Sequence, residues 1–213
     1  MEKKTKKAIV AGVIVWVILL SFAFFRYREW KAEEAFQNGI LLLENGELDA
    51  AQVQIERAQK LRPRDWEIRD QLGAVLLRKG LYDEARKEFA EVLRIKPDYA
   101  DAHKYIGFCY VHEQNWEEAL AAFMKACEVA PSDPVSHELV AAIAEKVGNT
   151  DLALAHWDSI LNLDPDNKKA QERRAMLLDP DYAAHDHDHD SDPNHDHDHD
   201  HDHAEDQDHE PHE

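Results

Sequence analysis

The sequence predicts an all-α solenoid of four helix–turn–helix repeats, and three observations predict it. Pro63, Pro97, Pro131 and Pro165 follow one another at intervals of 34 residues. The same interval carries a small residue (Gly39, Gly73, Gly107, Ala141), an alanine (Ala51, Ala85, Ala119, Ala153) and two apolar positions (Ile55, Phe89, Phe123, Trp157, then Ala58, Val92, Ala126, Ile160). Between prolines the apolar residues run at helical spacing, as in Leu72, Val75 and Leu76 and then Ala85, Phe89, Val92 and Leu93. Unrelated residue types sharing one register describe a repeat array.

Before the array, residues 1–7 include Lys3, Lys4, Lys6 and Lys7. Ala8 to Phe25 is then an 18-residue stretch whose one polar member is Ser21. As a helix it would extend about 27 Å, enough for the hydrocarbon core of a bilayer. Arg26, Tyr27, Arg28 and Trp30 follow it as an aromatic and basic collar. The expectation is a transmembrane anchor over 8–25 that contacts lipid. Ser21-Phe22-Ala23 is also a passable cleavage site, so a signal peptide stands as the alternative. The apolar run continuing past Ala23 favours an uncleaved anchor. The lysines before the span favour a cytoplasmic N-terminus with the remainder exported. In a bacterium that means a single-pass inner-membrane protein with its array in the periplasm.

No glycine or proline separates Trp30 from the first repeat helix, expected from Ala32 to about Glu44. The repeats are expected at 32–65, 66–99, 100–133 and 134–167. Within each, a polar turn joins two helices: Glu44–Gly46, Arg78–Gly80, Glu113–Asn115 and Val147–Asn149. The proline after each second helix stops it, having no N–H to continue the ladder. A helical glycine costs roughly 1 kcal/mol against alanine, so its recurrence at Gly39, Gly73 and Gly107 implies close helix packing.

This pattern resembles the tetratricopeptide repeat family. The matching residues are Leu72-Gly73, Leu76, Ala85, Phe89 and Pro97 in the second unit, and Ile106-Gly107, Tyr110, Ala119, Phe123 and Pro131 in the third. The period itself belongs to that family. The first unit lacks the usual aromatic in its first helix, and the fourth has Ala141 where glycine is common. The resemblance, over residues 32–178, implies a right-handed superhelix whose first helices line a concave groove that binds another protein. The groove positions implied are Phe36, Ile40 and Leu43; Asp70, Ala74 and Leu77; Lys104, Phe108, Val111 and His112; and Glu138, Ala142 and Glu145. Some family members clamp a partner's terminal carboxylate with polar groups, but Phe36, Ile40 and Ala74 stand where those would be needed. An apolar floor suits an amphipathic helix or an extended peptide instead. Packing of such side chains, Phe36 and Ile40 among them, against the anchor region or the final helix is the plainer alternative, and self-association through the groove or the convex face stays open.

Residues 167–178, with Ala170, Arg174, Leu177 and Leu178 at helical spacing, read as a capping helix that Asp179-Pro180 ends. Beyond it, 183–213 alternates histidine with aspartate: His185, His187, His189, His195, His197, His199, His201, His203, His209 and His212. Lacking apolar residues, this tail is expected to be disordered. Its imidazoles and carboxylates suit a divalent transition metal such as Zn, Ni, Co or Cu, held adaptably and with little selectivity. No motif requires a cofactor. An acidic solubilising tail is the alternative.

Net charge is −19, of which 181–213 contributes 14 acidic residues and no basic one. A basic face for nucleic acid is therefore absent. No Gly-rich phosphate loop, nucleophile elbow or HExxH motif is present, so the chain does not read as an enzyme. Cys109 and Cys127 show no metal spacing and read as small buried apolar groups, with a disulfide between them left open. His103, His112, His137 and His156 read as surface or packing residues rather than ligands. The two functions in view are a membrane-anchored interaction scaffold or assembly factor of the envelope, and a metal buffering or delivery protein whose array docks on its client.

Overall fold

The structure, a computed structural model, describes residues 2–179, with side chains from residue 12 onward. Among the described residues there are nine helices and no strands. They are α1 (Glu2–Glu44), α2 (Leu48–Leu61), α3 (Trp66–Arg78), α4 (Tyr82–Ile95), α5 (Ala100–His112), α6 (Trp116–Val129), α7 (Pro134–Lys146), α8 (Thr150–Leu163) and α9 (Lys168–Leu178). Met1–Arg174 form one compact unit; a second, Ala175–Glu213, opens with the last turn of α9.

Each helix pair closes through the same contact. A Cβ built on Gly39 would lie 2.4 Å from the side chain of Ile55, one on Gly73 2.7 Å from the Phe89 ring, and one on Gly107 2.4 Å from the Phe123 ring. Those distances leave no room for a methyl group, so glycine lets the second helix seat its largest fully buried side chain against the first. Phe89 and Phe123 are fully buried there, each contributing about 2–3 kcal/mol of hydrophobic stabilisation. Ala51, Ala85 and Ala119 are likewise buried completely. In the fourth pair Ala141 takes the glycine's place, and Trp157 replaces the phenylalanine. Its indole N–H donates to Glu145 Oε1 at 2.7 Å.

The turns inside the pairs reuse one backbone solution. Gly46, Gly80 and Gly148 have φ of 81°, 77° and 77°, and Gln114 takes the same left-handed conformation at 61°. Each turn closes with paired backbone bonds, such as Gly80 N–H to Leu77 and Leu81 N–H to Leu76, which satisfy the last carbonyls of the first helix. Second helices end two residues before their proline, at Leu61, Ile95, Val129 and Leu163. Asp65 and Asp133 then cap α3 and α7 through their carboxylates.

Neighbouring repeats are joined in register too. The position six residues after the repeat proline donates to that proline's carbonyl: Arg69 Nη2 to Pro63 at 2.9 Å, His137 Nε2 to Pro131 at 2.9 Å, and Gln171 Nε2 to Pro165 at 2.7 Å.

Of the transmembrane span expected over 8–25, the structure describes the side chains of residues 12–25. Among the described residues no helix is long and apolar enough to cross a membrane. The side chains of residues 8–11 lie outside those described. From Gly12 to Tyr27 the helix is exposed at every residue, and it continues unbroken into the first repeat. Its join to the array is fastened by Arg28, which donates to the Leu61 carbonyl at 2.7 Å, and by Arg62, which pairs with Glu29 at 2.8 Å and Glu33 at 3.1 Å. The cap runs over Lys168–Leu178, and the His/Asp tail at 183–213 lies outside the described residues.

Two substitutions test this account. Gly107→Ala forces a methyl against Phe123 and should destabilise the protein by about 1–3 kcal/mol in denaturant unfolding, despite alanine's better helix propensity. Adding Phe123→Leu should return part of that loss. Gln114→Gly should instead raise stability by about 0.5–1 kcal/mol, because glycine adopts the left-handed turn without strain.

Candidate functional site

The first helices of the repeats carry the expected groove positions at the same three heights, with His112 one residue further on in the third, and their surroundings divide them. Phe36, Ile40 and Asp70 come together, lining a pocket of about 390 Å³ with Gln37, Trp66, Glu67, Gln71 and Tyr99. Phe36 and Leu43 pack partly against the first core cluster, as does Leu77. Ala74 is half-buried beside them. Further along, Lys104 is held by Asp101 at 2.7 Å and by Asp133, the N-cap of α7, at 3.0 Å. Phe108 lies edge-on to Phe123 with ring centres 5.4 Å apart, and Val111 packs in the same cluster. His112 is exposed and stacked on Tyr82 at 5.1 Å.

The fourth repeat's positions are largely engaged by the cap. Lys169 pairs with Glu138 at 2.6 Å. Glu145 accepts from Trp157 and forms an ion pair with Arg173. Ala142 alone of that set is exposed. The open stretch of the surface therefore lies at the first two repeats.

There the pocket is aromatic at its walls and acidic at its floor. Trp66 and Tyr99 meet edge-to-face at 5.0 Å, and Lys96 sits 4.2 Å from the Trp66 ring centre. Asp70, on α3, is 5 % exposed. One of its oxygens has no hydrogen-bond partner, and the other receives only long contacts from the Tyr99 hydroxyl and Gln71 Nε2, each 3.4 Å. Burial, then the negative charge of Asp101, pushes its carboxyl up to about 6; the Tyr99 bond opposes this weakly, and Glu67 adds to the rise. A buried carboxylate with a bare oxygen is costly to hold. Burial raises the Tyr99 phenol as well, with Asp70 and Asp101 adding to it.

Sequence reading missed two things here. Trp66, the first residue of α3, and Tyr99, the N-cap of α5, wall the pocket; their signal was an aromatic just beyond a repeat proline. A second group converges between the last repeats: Cys127, His137 and His156, with their ligand atoms all within 4.8 Å of one another. The residues had been read singly as packing or surface groups. Burial, reinforced by His137, lowers the proton affinity of His156. Cys109 and Cys127 are both free thiols, and burial pushes each up to about 11. The ten tail histidines lie outside the described residues.

Residues 36–100 and residues 76–143 each match the tetratricopeptide repeat family. The helical array is made of tetratricopeptide repeats. Solved structures share this fold. MamA from Desulfovibrio magneticus, from residue 41 to its end, is 24 % identical with a TM-score of 0.59, over 64 % of this chain and 77 % of that one. A tetratricopeptide repeat protein from Parabacteroides merdae is 18 % identical with a TM-score of 0.64, over 70 % and 59 %. PilF from Pseudomonas aeruginosa is 18 % identical with a TM-score of 0.59, over 71 % and 69 %. These similarities concern the fold of the tetratricopeptide array. Comparison with curated protein sequences gives no match.

The raised Asp70 carboxyl fixes the sign of a pH effect. An unfolded aspartate ionises near pH 3.9. As pH rises from there through about 6, the unfolded chain gives up this proton and the folded chain keeps it, so Asp70's contribution to stability falls over that window. Asp70→Asn should therefore raise the unfolding free energy by about 1–2 kcal/mol at pH 8 and change it little at pH 4. Thermal unfolding at the two pH values checks this.

Proposed function

We propose that the chain is a non-catalytic interaction scaffold, and that the pocket between its first two repeats seats a peptide segment of a partner protein. The observation that carries this reading is Asp70: a buried carboxylate with an unpartnered oxygen, set among Phe36, Ile40, Trp66 and Tyr99. Its neighbours Asp101, which Lys104 pairs, and Glu67 both add to the rise of its carboxyl, so a lysine or arginine would relieve Asp70. The fitting segment presents an aliphatic or aromatic residue to the rings and a basic one to the carboxylate. Tetratricopeptide arrays are protein-binding scaffolds, which agrees with this.

We extend the reading to two further parts of the chain. The exposed apolar helix from Gly12 to Phe25 is suited to lipid, which would place the array beside a membrane with its N-terminus in the cytoplasm. A pocket of about 330 Å³ at its base supports this, since it combines Phe24, Tyr27 and Leu61 with Arg28, Lys31, Arg57 and Lys60. Apolar and basic groups together match the interface of an anionic bilayer. The tail histidines would collect a divalent metal, and the array would then dock the metal-carrying chain on its client.

Peptide binding tests the central claim. A library of short fluorescent peptides, varied at one apolar and one charged position, is presented to the detergent-solubilised protein. Peptides with Lys or Arg beside an apolar residue should be enriched. Asp70→Asn should weaken their Kd at least tenfold, about 1.4 kcal/mol, and a chain ending at Asp181 should bind them unchanged with or without chelator. Enrichment of acidic peptides, or equal binding by Asp70→Asn, rejects the groove. Binding lost with the tail or under chelation makes metal handling the primary role.

A further inference from the structure

We propose that Cys127, His137 and His156 form a divalent transition-metal site, suited to Zn²⁺, that staples the third repeat to the fourth. The three residues come from α6, α7 and α8, and among the described residues theirs is the one group of three such ligands to converge. His137 Nδ1 and His156 Nδ1 are 3.0 Å apart. Tetrahedral zinc, with bonds near 2.0–2.1 Å to nitrogen and 2.3 Å to sulfur, places its ligand atoms about 3.3–3.6 Å from one another. The nitrogens already stand close to that spacing, and the sulfur, within 4.8 Å of them, needs to move inward by at most about 1.2 Å.

The orientation of His137 is independent support. Its Nε2 lies 2.9 Å from the Pro131 carbonyl oxygen, which can only accept. Nε2 therefore carries the proton, and the lone pair is on Nδ1, which faces His156. A backbone carbonyl holding the far N–H of an imidazole is the usual support of a metal-binding histidine. In the metal-free protein His156 Nδ1–H donates to that lone pair. On binding, His156 moves its proton to Nε2, the Cys127 thiol releases its proton to solvent, and the ion takes two imidazole nitrogens and one thiolate. A fourth position is left for water.

The repeat register shows that this chemistry is particular to one interface. One repeat earlier, the same three positions hold Leu93, His103 and Ala122. One earlier still they hold Gln59, Arg69 and Glu88, a polar network in which Glu88 accepts from Arg69 at 2.7 Å and Gln59 at 2.8 Å. Arg69 uses the Pro63 carbonyl as His137 uses that of Pro131. The position is thus a stitching point between repeats, built of ions in one place and of soft metal ligands in another. Both imidazoles are half-buried, which leaves an ion a route from solvent.

The site differs from the tail in having sulfur, and the experiment uses that difference. The full-length protein, reduced and stripped of metal, is titrated with Co²⁺ while near-ultraviolet absorption is recorded. A thiolate-to-cobalt charge-transfer band should grow to one equivalent, since tail imidazoles and carboxylates produce none. Cys127→Ser should abolish it, and His137→Gln with His156→Gln should weaken the Co²⁺ affinity of the band at least tenfold. Cys109→Ser should leave it in place. Helical circular dichroism shows that each variant is folded. Absence of the band in the wild-type protein overturns the proposal, which needs no variant to fold. A band that survives Cys127→Ser, or one indifferent to loss of both histidines, overturns it equally.

Discussion

The array depends on one close approach, between a glycine in the first helix of a repeat and a large side chain in the second. At Gly39, Gly73 and Gly107 the gap is narrower than a methyl group. Because the contact is made by van der Waals surfaces rather than by a directional bond, it sets the spacing and rotation of the two helices together. The other regularities follow. The left-handed turn, the proline stop and the carbonyl that receives a side chain from the next repeat all fall at fixed distances from that contact. A one-residue insertion would move them together off their partners.

With the geometry held by this contact, the surfaces between repeats are free to vary in chemistry. The junction of the first and second repeats is stitched by Arg69, Glu88 and Gln59. Lys104 bridges Asp101 and Asp133 further on. At the end, α9 engages Glu138 and Glu145 through Lys169 and Arg173, occupying places where a fifth repeat would bring its first helix. The concave side is thereby closed at one end and open at the other. The open end holds Asp70, whose carboxylate has one oxygen without a hydrogen-bond partner.

That carboxylate opposes stability. Asp70 loses hydration, faces acidic neighbours and gains only two long hydrogen bonds. A neutral residue of similar shape would serve the fold better. Functional surfaces commonly carry such a local conflict, because a group already satisfied inside the molecule has nothing left for a ligand.

What the sequence by itself determined is the repeating framework. Proline ends a helix whatever surrounds it, helical spacing marks the buried faces, and a glycine recurring in a helix signals close packing; these are properties of short segments, and they were legible. The groove was legible only as a set of heights. Phe36, Ile40 and Asp70 were named, but Trp66 and Tyr99 were not, because they reach the pocket from the starts of α3 and α5, whose placement depends on how repeats stack. Similarly, Lys104, Glu138 and Glu145 looked available on their own helices and are engaged by residues about 30 positions later. The convergence of Cys127, His137 and His156 belongs to this second class. Their separations of 10 and 19 residues follow no local ligand pattern, and only the packing of three successive helices brings them within 4.8 Å. Local chain stiffness wrote the first set of facts; side chains meeting across repeats, set by stacking geometry, decided the second.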